Sequence, residues 1–379
     1  MTAAPDVLVI GGGVIGMSVA WGARCSGRSV VIVDPQAGES ASSVAAGMLA
    51  PVTEASFGEE PLLQLNLLAA ARFPGFIDEL EQLTGLDIGL RRDGTLTIAY
   101  DAGDRAALAR LTELRRAYGL PADGLDGREC RALEPLLSPD IHGGVFAADD
   151  WSVDNRRLLT AVRRALASSG VETVEARVAH IDVKADHVTG ATLSDGTALS
   201  AATVVLAAGA WSGSIDGAPD ALRHELRPVK GQLLRLRVPG AMPQPLNHTV
   251  RATVRGHDVY LVPRADGELV VGATSEERGF DRTVTASAVH DLLRDATTLV
   301  PAIGELVVTE ACAALRPATR DNAPLVTATE VRGLVIATGH YRSGILQSAI
   351  TMDAVLALLD NDEPAPEWRA LRPVPVGAQ

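Results

Sequence analysis

The sequence opens with a strand pattern that runs directly into a glycine-rich turn. Residues 7–10 read Val-Leu-Val-Ile, and Gly11-Gly12-Gly13-Val14-Ile15-Gly16 follows, before an apolar run that ends at Ala23. This order predicts a short strand, a tight turn and a helix. Ser29 to Val33 predicts a second strand, which ends in Asp34. The spacing is that of a βαβ unit, so the chain is expected to contain a parallel sheet with helices packed on it.

Each glycine of the turn has its own steric role. Gly11 allows the tight turn, Gly13 lets the backbone approach a pyrophosphate, and Gly16 lets the helix pack closely on the strand. Phosphates would lie at the helix N-terminus, where amides and the helix dipole attract an anion. Asp34 would accept hydrogen bonds from the hydroxyl groups of the ribose. Its negative charge would repel the 2′-phosphate of NADP. The strand, glycines, helix and acid are in register, which favours a bound dinucleotide over a turn without a ligand.

Length and charge limit the classes of protein to which the chain can belong. A chain of 379 residues can form two domains with buried cores. The formal net charge of −13 argues against a nucleic-acid partner and against an anionic membrane surface. The uncharged run from Val7 to Ala23 carries the glycine pattern, lacks a basic segment before it and is short for a membrane span. We therefore expect neither nucleic acid nor membrane as a partner.

Cysteine and histidine usage bears on location and on metals. The three cysteines, Cys25, Cys130 and Cys312, are odd in number and far apart, which indicates a reduced, cytoplasmic setting. The eight histidines show no spacing typical of metal ligands, so no metal site is predicted.

The remaining elements indicate two interleaved domains. Residues 203–209 and 333–339 are apolar runs that end in glycine, and they predict central parallel strands beside the first strand. Three glycine-ended strands then share one sheet edge, where doubly wound sheets bind ligands. Predicted helices cover Leu62 to Thr84, Arg105 to Tyr118, Gly127 to Leu133, Asn155 to Ser168 and Ile345 to Leu359, and Ala41 to Leu49 reads as a loop of small residues.

Strands dominate the rest of the chain. They are predicted over Gly94 to Tyr100, Thr173 to Val183, Val188 to Leu193 (with a hairpin turn at Asp195-Gly196), Gln232 to Val238, Val250 to Val254, Asp258 to Pro263, Glu268 to Gly272 and Glu305 to Leu315. We assign residues 1–90, 150–225 and 325–365 to a discontinuous nucleotide domain. Residues 91–149 and 226–324 form a substrate domain, and 366–379 a C-terminal tail.

Several motifs together carry a family resemblance over nearly the whole chain. Besides the glycine turn with Asp34, they are Ser42-Ser43 to Gly47-Met48-Leu49, residues 204–212 (VVLAAGAWS), residues 258–264 (DVYLVPR), residues 271–274 (VGAT), residues 315–321 (LRPATRD) and residues 339–346 (GHYRSGIL). With these motifs the chain resembles the glycine oxidase and D-amino acid oxidase family of FAD-dependent amine oxidoreductases, and within it the glycine oxidases of thiamine biosynthesis. The resemblance implies an α/β fold: a glutathione-reductase-like FAD domain and an antiparallel-sheet substrate domain that covers the flavin.

The resemblance also implies which residues hold FAD. Amides of Val14 and Ile15 would face the pyrophosphate, Val178 would meet the adenine, and a helix N-terminus at Gly344 would point at the flavin ring, where it would stabilise the anionic reduced form. The complete implied set is Gly11, Gly13, Val14, Ile15, Gly16, Asp34, Pro35, Ser42, Ser43, Gly47, Met48, Leu49, Val178, His340, Tyr341, Arg342, Ser343, Gly344, Ile345 and Leu346.

For the substrate, the family pattern implies Arg316, Arg342 and Tyr260. A guanidinium can bind both oxygens of a carboxylate in one plane. The alternatives are structural ion pairs for the two arginines, with Asp321 as a partner of Arg316, and a core position for Tyr260. Hydride transfer from the substrate Cα to flavin N5 needs no general base, so no catalytic residue is assigned, and His340 is expected to be a scaffold residue.

The implied reaction oxidises a small amino acid or amine with O2 to an oxo acid, ammonia and H2O2, or supplies an imine for thiazole formation. The family also implies a homo-oligomer, a tetramer. Three alternatives stay open: a D-amino acid or sarcosine dehydrogenase with another electron acceptor, the flavin domain of a tRNA-modifying protein, and an NAD dehydrogenase. The substrate among glycine, sarcosine and D-amino acids stays open too, because Ser275 and Tyr341 depart from the family pattern. Cys312 lies near the position at which sarcosine oxidases attach their flavin, although a buried thiol is the simpler interpretation.

Overall fold

A computed structural model describes residues 4–36, 40–121, 123–240, 242–362, 365 and 368. The strands among them are β1 (Val7–Ile10), β2 (Val30–Asp34), β3 (Met48–Leu49), β4 (Thr95–Ala99), β5 (Asp123–Leu125), β6 (Gly143–Ala147), β7 (Trp151–Ser152), β8 (Glu172–Glu175), β9 (Val178–Lys184), β10 (His187–Leu193), β11 (Ala198–Ser200), β12 (Thr203–Leu206), β13 (Arg227–Arg237), β14 (Thr249–Val254), β15 (His257–Pro263), β16 (Glu268–Gly272), β17 (Val307–Ala318), β18 (Leu325–Ala328) and β19 (Leu334–Thr338). The α-helices are α1 (Val14–Cys25), α2 (Ala41–Val44), α3 (Glu60–Thr84), α4 (Ala102–Ala117), α5 (Gly127–Leu133), α6 (Asn155–Ser168), α7 (Asp220–Glu225), α8 (Ala286–Leu299) and α9 (Ser348–Leu359), and 3₁₀ turns cover Gly209–Ser214 and Pro301–Glu305.

A six-stranded sheet carries the glycine turn. Its order is β18-β19-β12-β1-β2-β8, and every neighbouring pair is parallel except β18 with β19. The predicted central strands are thus confirmed: β12 pairs with β1 and with β19. Because β1, β12 and β19 run in one direction, the glycines that follow them, Gly11, Gly209 and Gly339, share one sheet edge.

Successive residues of these strands serve two different cores. Val9 and Val205 pack with Phe76 of α3 and Leu158 of α6 on one face, together with residues of α1 and α9. Leu8 and other intervening residues pack on the opposite face against a small antiparallel sheet, β11-β10-β9. Burial on both faces explains why the strands read as continuous apolar runs in the sequence.

An eight-stranded sheet lies opposite, in the order β17-β13-β16-β15-β14-β4-β6-β5. Its pairs are antiparallel except β14 with β4, which are parallel, so the sheet is mixed rather than purely antiparallel as predicted. The exception arises because β4 enters the sheet from a distant chain segment instead of through a hairpin. Leu234 and Leu261 pack against α8, which leaves the alternate residues, such as Leu233 and Tyr260, on the other face.

Several predicted boundaries were wrong. Residues 41–49, predicted as a loop, contain the one-turn helix α2 and strand β3. Residues 173–183, predicted as one strand, form two strands in different sheets. Helix α8 was not predicted. The hairpin turn at Asp195-Gly196 joins β10 to β11, a strand that was also not predicted. The last helix begins at Ser348 rather than Ile345, because residues 344–347 form turns, so the predicted helix N-terminus at Gly344 was wrong.

The strands of the six-stranded sheet lie within residues 1–90, 150–225 and 325–365, and those of the eight-stranded sheet within 91–149 and 226–324. The division into domains stays a prediction. Of the predicted tail 366–379, only Trp368 belongs to the described residues. No helix in the described part of the chain is both long enough and apolar enough to cross a membrane.

Candidate active site

A cavity of about 840 Å³ lies between the glycine-ended edge of the six-stranded sheet and the open face of the eight-stranded sheet. It brings together most of the residues that the sequence singled out. Those that line it are Gly11, Gly13, Val14, Ile15, Asp34, Pro35, Ser42, Gly47, Met48, Val178, Tyr260, Arg316, His340, Tyr341, Arg342, Gly344 and Ile345.

Five predicted cofactor residues do not line this cavity. Gly16 is a packing residue, since a Cβ there would lie 2.0 Å from the carbonyl oxygen of Gly11. Leu49 and Leu346 belong to the core beneath the site, because their side chains are apolar and buried. Ser343 is buried beside Asn66, and Ser43 lines a separate, smaller cavity. These five residues therefore lie behind the cavity wall or beside it.

The glycine turn fits the pyrophosphate and ribose of a dinucleotide. Gly11 has φ +114°, and a Cβ there would lie 2.4 Å from the carbonyl oxygen of Ala207. Helix α1 has no side-chain cap and no acidic residue in its own first turn, and its N-terminus faces the cavity. Asp34 Oδ2 accepts from the Gly12 amide at 2.6 Å, which holds the carboxylate at the turn. The Val14 amide, predicted to face the pyrophosphate, donates to Ser42 Oγ at 3.1 Å.

The loop after α2 is held from behind by long polar side chains. Arg264 donates to the carbonyl oxygen of Val153 at 2.7 Å and to that of Ala46, and its side chain is buried. Asn155 Nδ2 donates to the Ser42 carbonyl oxygen at 2.7 Å. The Ser42 carbonyl of α2 and the Ala46 carbonyl of the loop are therefore bound by side chains that do not line the cavity, whereas Gly47 and Met48 line it. Sequence reasoning missed both donors, although Arg264 ends the DVYLVPR motif.

Arg316 and Tyr260 lie side by side on the open face of the eight-stranded sheet. Arg316 Nη1 donates to the Thr274 carbonyl oxygen at 3.0 Å, and no ion pair joins Arg316 to a carboxylate of the described residues. The structure thus shows no ion pair of Arg316 with Asp321 among the described residues, and the role of Arg316 stays a prediction. Burial raises the pKa of Tyr260, and the neighbouring charge of Arg316 opposes this effect. A guanidinium without a carboxylate partner among the described residues, beside a half-buried phenol, can bind an anion.

Arg342 has carboxylate partners of its own. Its Nε lies 3.2 Å from Glu54 Oε2, and its Nη2 bonds Glu59. Glu54 also pairs with Arg251 at 3.2 Å. The structural ion pair that was weighed as an alternative for Arg342 is present, and Arg342 lines the cavity as well. Sequence reasoning missed Glu54, Glu59 and Arg251, because charged residues so far apart in the chain give no local signal.

His340 is a buried scaffold residue. Its side chain is 3% exposed, and Nε2 lies 2.9 Å from Thr351 Oγ1. Burial lowers the pKa of His340 to about 3, so the ring is neutral at physiological pH. This environment agrees with the scaffold role that we expected.

Cys312 does not line the main cavity, although it lies on the same face of the sheet as Leu233. It lies opposite Leu233 in the β13–β17 pair and lines the smaller cavity with Ser43 and Arg156. Burial raises the pKa of the thiol to about 11, which keeps it protonated. The described residues include no group of three histidine, cysteine or acidic side chains placed to bind a metal.

Comparisons with known proteins agree with this geometry. Residues 6–356 match the model of the DAO family, described as FAD dependent oxidoreductase. A glycine oxidase of Geobacillus kaustophilus is 34% identical over 96% of this chain and 95% of its own length. The crystal structure of glycine oxidase from Geobacillus kaustophilus superposes with a TM-score of 0.89 at 32% identity and covers 99% of both chains.

A further relative is a bifunctional protein ThiO/ThiG of Synechocystis, 33% identical over 98% of this chain. The chain spans about half the length of this relative, 54%. The match over residues 6–356 includes the glycine turn, the eight-stranded sheet and the turn after β19. The chain therefore belongs to the DAO family of FAD-dependent oxidoreductases, and FAD is its cofactor.

Proposed function

We propose that the protein oxidises glycine and other small amines, such as sarcosine and small D-amino acids, to the corresponding imine. Water then hydrolyses the imine to an oxo acid and ammonia, and O2 accepts the electrons as H2O2. The observation that carries the proposal is the cationic Arg316 without a carboxylate partner, beside Tyr260, at the cavity that also contains the glycine turn. The similarity to glycine oxidases supports the same substrate class.

In this proposal Arg316 binds the substrate carboxylate, and Tyr260 donates its hydroxyl to the same group. Both side chains are half-buried, which excludes part of the water that would compete for the anion. Arg342 is a second guanidinium at the cavity, and Glu54 and Glu59 fix its position and offset its charge. The carboxylate would thereby be held in one orientation within the cavity.

FAD, when bound, supplies the acceptor for a hydride from the substrate Cα. The protein's contribution is to position the amine and to exclude water. With a pKa of about 3, the buried His340 is a weak proton acceptor at neutral pH, which supports a reaction without a protein general base. Cofactor contacts are proposed for the predicted residues that line the cavity, with Gly16, Ser43, Leu49, Ser343 and Leu346 behind them.

We further propose that the imine serves the thiazole of thiamine, which the similarity to a bifunctional ThiO/ThiG protein supports. A cytoplasmic location and a homotetramer complete the proposal. Sedimentation velocity tests the oligomeric state, and a mass other than four chains contradicts the tetramer.

The test is oxygen consumption by the yellow holoenzyme with glycine, sarcosine and D-alanine, each with a peroxidase assay for H2O2. Turnover with stoichiometric H2O2 supports an oxidase. Turnover that requires an added quinone or dye, without H2O2 under air, favours the dehydrogenase alternative instead. Absence of turnover with every amine and every acceptor contradicts amine oxidation.

A further inference from the structure

A hydrogen-bond network lies behind the proposed carboxylate site. Arg316 Nη1 donates to the Thr274 carbonyl oxygen at 3.0 Å, which fixes one arm of the guanidinium. Thr274 belongs to the connecting segment, residues 273–285, which joins β16 to α8 and contributes Thr274 and Ser275 to the cavity wall. The position of Arg316 therefore depends on the residues that hold Thr274.

Thr274 is held by Gln232 of β13. The Thr274 amide donates to the Gln232 carbonyl oxygen at 3.1 Å, and Thr274 Oγ1 accepts from the Gln232 amide at 3.0 Å. The same Oγ1 donates to Glu276 Oε1 at 2.6 Å. The amide and the hydroxyl of Thr274 are thus both engaged, while its carbonyl oxygen accepts from Arg316.

The side chain of Gln232 completes the network from the other face of the sheet. Neighbouring residues of a strand point to opposite faces, and Gly231 lies on the face of Arg316. Gln232 therefore points away from the cavity, and it is 1% exposed. Its Nε2 donates to Glu276 Oε1 at 2.6 Å, and its Oε1 accepts from the Thr285 amide at 2.8 Å. One side chain thus binds the connecting segment near both of its ends.

Glu276 is the shared acceptor of this network. Burial raises the pKa of its carboxyl, but the hydrogen bonds from Thr274 and Gln232 and the charge of Lys230 outweigh burial and lower the pKa below its usual value. The carboxylate is therefore ionised at neutral pH, and both donors form charge-assisted hydrogen bonds with it. Loss of the Gln232 amide group would remove one of these donors and leave the Thr285 amide without its acceptor.

Lys230 supports a different part of the connecting segment. Its side chain is 1% exposed and points to the same face of β13 as that of Gln232. Lys230 Nζ lies 2.8 Å from Asp281 Oδ2, farther along the segment. The hydrogen bonds of Lys230 with Glu276 join main-chain atoms, so they do not depend on the lysine side chain. The Lys230 side chain thus holds the segment at Asp281 rather than at Thr274.

We propose that Gln232 is a positioning residue for the substrate carboxylate: it holds Thr274 from the far face of the sheet, and the Thr274 carbonyl in turn orients Arg316. The proposal rests on the proposed function, because that function assigns the carboxylate to Arg316. Gln232 does not line the cavity, so its replacement should weaken carboxylate binding without changing the chemical groups that face the substrate.

Acetate tests carboxylate binding without turnover, because it has no amine to oxidise. Its Kd comes from the change in flavin absorbance of the holoenzyme. We expect Gln232→Met to raise this Kd about fivefold, because the support of the Arg316 partner is weakened. Lys230→Met is the matched control, since it removes a buried polar side chain from the same face of the same strand and should leave the Kd unchanged. An unchanged Kd in Gln232→Met, or equal increases in both variants, overturns the proposal.

Thr274→Val carries the same test if Gln232→Met fails to fold. Valine has nearly the shape of threonine and keeps the carbonyl that binds Arg316, but it lacks the hydroxyl that joins Gln232 to Glu276. We expect the Kd for acetate to rise about threefold. An unchanged Kd in Thr274→Val, with Gln232→Met either unfolded or unchanged, contradicts the assignment.

A double-mutant cycle separates positioning from a general loss of stability. If Gln232 acts through Arg316, the addition of Gln232→Met to Arg316→Met should not raise the Kd for acetate further. Two effects that multiply in the double variant would show that Gln232 acts independently of Arg316, and this result would overturn the proposal.

Oxygen consumption with glycine then separates this inference from the proposed reaction. Acetate binding that depends on both Arg316 and Gln232, without oxidation of any amine, supports the inference and refutes the proposed reaction. Oxidation of glycine, with a Kd for acetate that neither Arg316→Met nor Gln232→Met changes, does the reverse.

Discussion

The guanidinium of Arg316 lies over the backbone of Gly231 on the neighbouring strand. A Cβ on Gly231 would be 2.5 Å from Arg316 Cζ, closer than two such atoms can approach. Gly272 makes the same kind of room for Tyr260, since its Cβ would be 2.5 Å from the phenol oxygen. Two glycines of the sheet thus create the space in which the proposed carboxylate site is built.

Gly231→Ala should displace Arg316 without unfolding the protein, because the group that must move is the end of a flexible side chain. We expect KM for glycine to rise about tenfold, equivalent to about 1.4 kcal/mol of binding free energy, with FAD retained. Steady-state oxygen consumption measures it. Gly124→Ala, where a Cβ meets nothing within 4 Å, is the control. An unchanged KM in Gly231→Ala would show that the present place of Arg316 is not needed for substrate binding.

The sequence predicted those parts of the fold that have local signals. The ends of α5 and α6 agree with prediction because Asp126 and Asp154 cap them. Helix α4 begins at Ala102, three residues earlier than predicted, because the capping box of Asp101 with Asp104 was overlooked. Helix α8 was missed inside a β-rich block, although Thr285 caps its start.

The candidate site was predictable only where a motif specifies it. The glycine turn and Arg316 stand in motifs, and both line the cavity. The carboxylate partners of Arg342 are Glu54 and Glu59, which lie almost 300 residues earlier in the chain. Only the tertiary fold brings these three residues together. Two nitrogens of the buried Arg115 lack a hydrogen-bond acceptor among the described residues. The sequence of an amphipathic helix does not reveal that one particular arginine is buried.

The ion pair of Arg342 with Glu54 should stabilise the fold more than a surface pair does. Glu54 is 11% exposed, so solvent screens the interaction weakly. A double-mutant cycle with Arg342→Met and Glu54→Gln should give a coupling free energy of about 1–2 kcal/mol. The exposed pair Arg157 with Asp87 should give less than about 0.5 kcal/mol because solvent screens it. Chemical denaturation provides both values, and equal couplings would contradict the expectation.

His340 should make the protein sensitive to acid. Its pKa is lowered by burial to about 3, below the ordinary value of 6.5, so the unfolded chain binds a proton that the folded chain rejects. The stability from this group is present above about pH 6.5 and is lost as the pH falls toward 3. Between pH 7 and 5 the wild type should lose about 2 kcal/mol more than His340→Gln.

Denaturation at pH 7, 6 and 5 checks this difference. His187→Gln is the control, since His187 is 54% exposed and should shift the curves little. A parallel pH dependence in wild type and His340→Gln would mean that the folded protein accepts a proton at His340.

Arg264 should control how tightly the protein retains FAD. Its two hydrogen bonds fix the carbonyls of Ala46 and Val153. Gly47, which lies next to both carbonyls, lines the cavity. Burial lowers the pKa of Arg264 to about 10, yet the group remains charged at neutral pH. Arg264→Met removes both bonds and leaves two buried carbonyls unpaired, which we expect to raise the Kd for FAD at least tenfold. Fluorescence quenching of FAD during reconstitution of the apoprotein measures this Kd.

The control variant is Arg156→Met, which removes one 3.3 Å hydrogen bond to the Ser43 carbonyl at a more exposed position and should raise the Kd for FAD less. Equal FAD affinity in wild type and Arg264→Met would show that the loop keeps its shape without the clamp.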